Sequence, residues 1–87
     1  MKVKDEIVIS RINETDGGMV FDTKTGLYYR VNDVACFIID CIKSGECDTE
    51  DGIAQLLCEE YDVELSVASE DTHSIIQDLL QLEIITQ

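Results

Sequence analysis

Apolar residues alternate with polar ones in the first third of this chain and fall at helical spacing through the rest. Glu6-Ile-Val-Ile-Ser-Arg-Ile12 is rich in β-branched side chains and predicts a first strand. Glu14-Thr-Asp-Gly-Gly18 supplies turn chemistry, with two glycines able to take positive φ. Met19-Val-Phe-Asp22 predicts a second strand. Asp22-Thr-Lys-Thr-Gly26 reads as a short hairpin loop with Gly26 left-handed before a bulge. Leu27-Tyr-Tyr-Arg-Val31 completes the set. Leu27, Tyr29 and Val31 share one face of that strand, Tyr28 and Arg30 the other.

From Asn32 the period changes. Asn32 is an N-cap candidate, and Val34, Ile38, Cys41 and Ile42 form one stripe that ends at Lys43 and Gly45, predicting a helix over about 33–44. Thr49 caps a second helix in which Ile53, Leu57 and Tyr61 recur every fourth residue, with Leu56 widening the stripe. Gly52 costs this helix ~1 kcal/mol relative to alanine. After the connector Asp62-Val-Glu-Leu65, a third helix starts at Ser66 or Ser69 and runs to about Leu82. Its apolar side holds Thr72, Ile75, Ile76, Leu79, Leu80 and Leu82, and Ile84-Ile85 tucks back as an extended tail. The order βββααα with short connections predicts one α+β domain over residues 1–87, a three-stranded antiparallel sheet followed by three helices on a winged-helix-like plan.

Charge changes what that plan can do. All six basic residues lie at or before Lys43, so residues 1–43 carry about −1 and residues 44–87 about −12 of the net −13. A winged helix ordinarily grips phosphates with basic side chains. Helices without lysine or arginine would repel nucleic acid, because its affinity comes largely from displaced counterions. A transcription regulator is therefore the weaker reading, and the acidic second half suggests an enzyme partner with a basic surface.

Little here points to catalysis or a cofactor. Cys36, Cys41, Cys47 and Cys58 match no CxxC spacing and read as small hydrophobes of a reducing cytosol, with Cys47 expected to be the exposed one. His73 reads as a solvated residue with Glu70 or Asp78 as its nearest carboxylates, and no nucleophile elbow, phosphate loop or HExxH pair occurs. No catalytic residue, metal ligand or cofactor is assigned, and the protein is read as a non-enzyme. The start carries no apolar run of the signal-peptide kind, and no stretch reaches the ~18 apolar residues of a membrane span. A cytoplasmic protein without membrane contact is expected.

What remains is binding. A short sheet ends in edges, and edges are usually blunted by proline or lysine. The third predicted strand has neither, so it could add a strand from an extended peptide or self-pair into a weak dimer. Tyr28 and Tyr29 would then wall a pocket, or simply be ordinary sheet residues, one in the core and one outside. Arg30 would meet a carboxylate of such a peptide, or Asp22 or Asp71.

The stretch Asp16-Gly-Gly-Met-Val-Phe-Asp-Thr-Lys-Thr-Gly-Leu-Tyr-Tyr-Arg-Val-Asn32 resembles the opening of the PqqD-like family. Glu59-Glu-Tyr-Asp-Val63 resembles its connector, and Asp71 with Ile75, Ile76, Leu79 and Ile84-Ile85 its last helix and tail. The resemblance implies a stand-alone recognition element that binds, without catalysis, the leader of a ribosomally made precursor peptide. It looks most like the small leader-binding proteins of lasso-peptide clusters, which partner a leader peptidase and a cyclase. The alternative it allows is a PqqD-type peptide chaperone for a radical SAM enzyme. Carried over by position, Leu27, Tyr28, Tyr29, Arg30 and Val31 would form the peptide rail, antiparallel to the leader, and Asp71, Ile75, Asp78 and Leu79 the helix side. Two departures stand out: Glu83 where the family has a glycine, and Gly52 where it has a helix former.

Overall fold

The computed structural model describes residues 1–11 and 17–87, so the end of the first predicted strand at Ile12 and turn residues 14–16 lie outside the described residues. The elements are β1 (Lys2–Val3), β2 (Ile7–Arg11), β3 (Gly18–Asp22), β4 (Tyr28–Val31), α1 (Asp33–Ser44), α2 (Glu50–Tyr61), α3 (Leu65–Gln81) and β5 (Ile85–Thr86). The three expected strands are β2, β3 and β4, an antiparallel sheet in that order. The expected tail, Ile84-Ile85, runs into β5, which pairs with β1 in a second small sheet that joins Val3 to Ile85 and Lys2 to Thr86. Strands of two residues leave no periodicity to read.

Turn and cap chemistry accounts for most boundaries. In the β3–β4 hairpin the Asp22 carboxylate accepts the N–H groups of Lys24 (2.9 Å) and Thr25 (3.3 Å), and Gly26 takes φ 78°. Leu27 belongs to this turn region, and β4 begins at Tyr28. Asn32 accepts the Ala35 N–H at 2.8 Å, and Gly45 ends α1 in the left-handed conformation. Thr49 accepts the Gly52 N–H at 3.1 Å. Helix α3 begins at Leu65, before either expected serine, because its N-cap is Glu64, whose side chain makes no capping bond. Its end is a Schellman motif: Glu83 adopts φ 62°, the Glu83 N–H donates to Leu80 at 3.1 Å, and the Ile84 N–H donates to Leu79 at 2.9 Å. The residue where the family has glycine thus keeps glycine's conformation.

Two glycines are set by close approach. Only Gly17 of the expected pair takes positive φ (81°), and a β-carbon there would collide with the Val31 carbonyl. At Gly18 a β-carbon would lie 2.6 Å from the Ser10 carbonyl oxygen. Gly52 has a similar origin, since a β-carbon there would strike the Cys47 sulfur. Cys47 is therefore half-buried against the core rather than exposed, contrary to the expectation from its polar loop.

The core lies between the inner sheet face and the helices: Ile7 and Val20 meet Ile38, Ile39 and Ile42 of α1, Ile53 of α2, Ile76 and Leu79 of α3, and Ile84 and Ile85 of the tail. A smaller cluster of Ala54, Leu57 and Ala68 joins α2 to α3. Beside it Phe37 and Tyr61 pack edge-to-face with centroids 5.8 Å apart.

Candidate functional site

Strand β4 is an edge of its sheet. The Leu27 carbonyl accepts the Asp22 N–H at 2.8 Å, which sets the alternation of the antiparallel ladder. Tyr29 and Val31 turn their N–H and C=O groups toward β3, and those of Tyr28 and Arg30 point to the open side. An incoming strand would find these groups at the usual spacing.

A groove runs beside that edge. One depression of about 240 Å³ is lined by Arg30, Val31, Asn32, Ala35, Ile75, Asp78, Leu79 and Leu82. A second, of about 260 Å³, is lined by Asn32, Val34, Asp71, Ser74 and Ile75. They share Asn32 and Ile75, so they form one trough between β4 with the start of α1 and the face of α3. Its floor is apolar and its helix rim carries two carboxylates.

Of the residues singled out from sequence, Arg30, Val31, Asp71, Ile75, Asp78 and Leu79 line this trough. Leu27 is exposed on the hairpin just before the edge strand. Tyr28 is exposed on the outer sheet face, and Tyr29 is half-buried against the core. Leu79 is 2% exposed, so it is floor and core at once. Sequence reasoning missed Asn32, Val34, Ala35 and Ser74 as lining, whereas Leu82 is among the α3 residues it offers for a groove, with Ile75, Ile76 and Leu79. Asn32 reads from sequence only as a cap. Leu82 sits past the last turn of α3, 40% exposed beside the trough.

A polar clamp holds the frame. Arg11 donates to Asp33 at 2.7 Å and reaches Asp40 at 3.3 Å, and the Tyr61 hydroxyl donates to the other Asp33 oxygen. The Tyr61 hydroxyl and the Arg11 guanidinium hold the Asp33 carboxyl below the usual carboxylate range. Burial and the Asp33 carboxylate push the Tyr61 phenol up to about 12. Strand β2, the start of α1 and the end of α2 are thereby joined just behind Asn32.

Other chemistry is sparse. His73 contacts Glu50 of α2 at 3.1 Å rather than the expected Glu70 or Asp78. Burial raises the Cys36 thiol and pushes Cys41 up to about 11, which keeps both unreactive. Among the described residues no group of three or more His, Cys, Asp or Glu side chains could hold a metal ion, and no helix is long and apolar enough to cross a membrane. A further depression of about 240 Å³, lined by Lys2, Val3, Lys4, Asp5, Ile7, Ile42 and Lys43, shares no residue with the trough.

Two solved structures are similar in fold. The chain matches TbiB1 in complex with the TbiA(beta) leader peptide with a TM-score of 0.80 and 23% identity, covering 97% of this chain and 93% of that one. It matches lasso peptide synthetase B1 complexed with the leader peptide with a TM-score of 0.74 and 26% identity, covering 92% and 89%. No curated protein matches the sequence significantly. The sequence model of the family described as coenzyme PQQ synthesis protein D (PqqD) matches residues 17–85, from the start of β3 through the tail that closes α3, and the chain therefore belongs to the PqqD family.

Proposed function

We propose that this chain captures the leader segment of a ribosomally made precursor peptide as a fourth strand on β4, with side chains pressed into the trough against α3. It then presents the leader, without catalysis, to a leader peptidase or other modifying enzyme, in the cytoplasm and in lasso-peptide biosynthesis. The observation that carries this reading is the open edge of Tyr28 and Arg30 beside an apolar trough. The two similar structures support it, since both hold leader peptides. Leu27, Tyr28, Tyr29, Arg30 and Val31 form the rail and Asp71, Ile75, Asp78 and Leu79 the wall, to which Leu82 and Asn32 are added.

The match to the family described as coenzyme PQQ synthesis protein D leaves room for one second reading, the peptide chaperone for a radical SAM enzyme that the sequence resemblance implies. It uses the same edge and differs only in the enzyme served. Duplex DNA is a poor partner, because the exposed residues of α2 and α3 include Asp51, Glu59, Glu60, Glu70, Asp71 and Asp78 and no cation other than a protonated His73.

The test is titration of a labelled leader peptide from a short precursor, where one is encoded near this chain. Micromolar to nanomolar affinity is expected, or ~8–12 kcal/mol. Proline at Tyr29 or arginine at Leu79 would damage the fold, since Tyr29 bonds to β3 and Leu79 is core. Arg30→Pro removes an outward N–H, and Leu82→Arg charges the rim. Both should weaken binding at least tenfold with an unchanged circular dichroism spectrum, while Gln55→Ala on α2 should not. Full-strength binding by both variants would sink the assignment.

A further inference from the structure

The outer face of the β2–β3–β4 sheet is apolar where a solvent-facing sheet surface is ordinarily polar. Val8 lies opposite Phe21, and Phe21 opposite Tyr28, so one row of large apolar side chains crosses all three strands. They are 49%, 40% and 66% exposed, and no described residue covers them. The adjacent row is Ser10, Met19 and Arg30. Both rows stop at β4, the edge on which the proposed peptide would sit.

Pleating decides what continues them. A strand added to β4 sends alternate side chains to opposite faces. Those beside Tyr29 and Val31 go inward to the trough; those beside Tyr28 and Arg30 go outward and extend the two exposed rows. Arg30 makes no ion pair among the described residues, although the chain carries net −13. Of its two sequence-level candidates, Asp22 is bonded to the Lys24 and Thr25 N–H groups within its own turn, and Asp71 lines the far part of the trough. On the inward side the carboxylate of Asp78 stands at the rim, which disfavours an acid there.

We propose that a peptide seated on β4 is read on both faces: besides the apolar side chains that enter the trough, it places an acidic side chain beside Arg30 and, two positions away, an apolar or aromatic one beside Tyr28. This rests on the strand-addition reading above and adds to it a specificity rule that depends on which face a residue occupies. The Val8–Phe21–Tyr28 row is then the platform that the outward apolar residue completes. Arg30 is a specificity-determining residue for an acidic position.

The experiment is selection of a displayed library of random twelve-residue peptides on the full chain, repeated on R30E, Y28S and L82R. Binders to the unaltered chain should share an aspartate or glutamate two positions from an aliphatic or aromatic residue. On R30E the acidic position should turn to lysine or arginine while the trough-facing residues stay apolar. Y28S should lose only the outward apolar preference. Individually, exchanging the selected acid for lysine should weaken binding to the unaltered chain about tenfold or more, and R30E should restore it. Binders that are lost on L82R but show no acid preference and no reversal on R30E would overturn this inference and leave the strand-addition reading standing. If no peptide is selected, or binders are indifferent to L82R, the strand-addition reading fails and the two-face rule with it.

Discussion

The thiol sulfur of Cys47 occupies the space that a β-carbon on residue 52 would need, so the first turn of α2 carries a glycine. The penalty that Gly52 imposes on its helix is the counterpart of a sulfur packed half-buried against the core. The two residues should therefore be energetically coupled. Gly52→Ala should destabilise the chain, and clearly less in a Cys47→Ala background, where only the Thr49 hydroxyl at 2.9 Å still opposes the new β-carbon. Denaturant titration of the four proteins in this cycle measures the coupling, and strictly additive effects would contradict the packing described.

Glu83 holds a left-handed conformation that costs a side-chain-bearing residue roughly 1 kcal/mol. Its contact with Lys4, at 3.9 Å and with the glutamate 79% exposed, offsets little of that. Glu83→Gly should raise stability by about 0.5–1 kcal/mol, several degrees of Tm for a chain this size. Glu83→Ala, which loses the contact without relieving the backbone, should raise nothing.

Thr72 is fully buried in α3, and its hydroxyl finds no hydrogen-bond partner among the described residues. An unpaired buried hydroxyl costs about 1–3 kcal/mol, and valine has nearly the same shape. Thr72→Val should therefore stabilise the chain by about 1 kcal/mol in equilibrium unfolding. A clear loss would mean that the hydroxyl is bonded in solution.

The clamp around Asp33 gives stability two pH limbs. The Asp33 carboxyl is held low in the fold, so its contribution is complete above the unfolded value near ~4 and fades as pH falls through the depressed folded value. The Tyr61 phenol is raised to about 12, so its contribution is complete below ~10 and is lost as pH climbs from there toward 12. Thermal melts across pH should show a plateau between these limbs. Asp33→Asn should flatten the acid limb, and Tyr61→Phe the alkaline one.

Most of the frame was legible because it rests on local chemistry. Asn32, Thr49, Gly26 and Gly45 announce caps and turns within a few residues of where they act. What could not be read depends on pairing between distant segments. The β1–β5 contact joins distant segments of the chain, and α3 begins at Leu65 behind a glutamate N-cap that makes no capping bond. The site divided in the same way. Ile75 and Val31 follow from periodicity, but only packing shows that Leu79 belongs to the core and Leu82 to the rim. The Val8–Phe21–Tyr28 row needs strand register, which no single stretch of sequence specifies.

Because Arg11, Asp33, Asp40 and Tyr61 join β2, α1 and α2 immediately behind Asn32, the start of α1, one wall of the trough, is held in place before anything arrives. On the proposed reading, an extended guest would then dock on a wall that is already in place, and less freedom would be lost on binding. Loosening that lock would, on the same reading, slow capture, because docking would then need a conformational step.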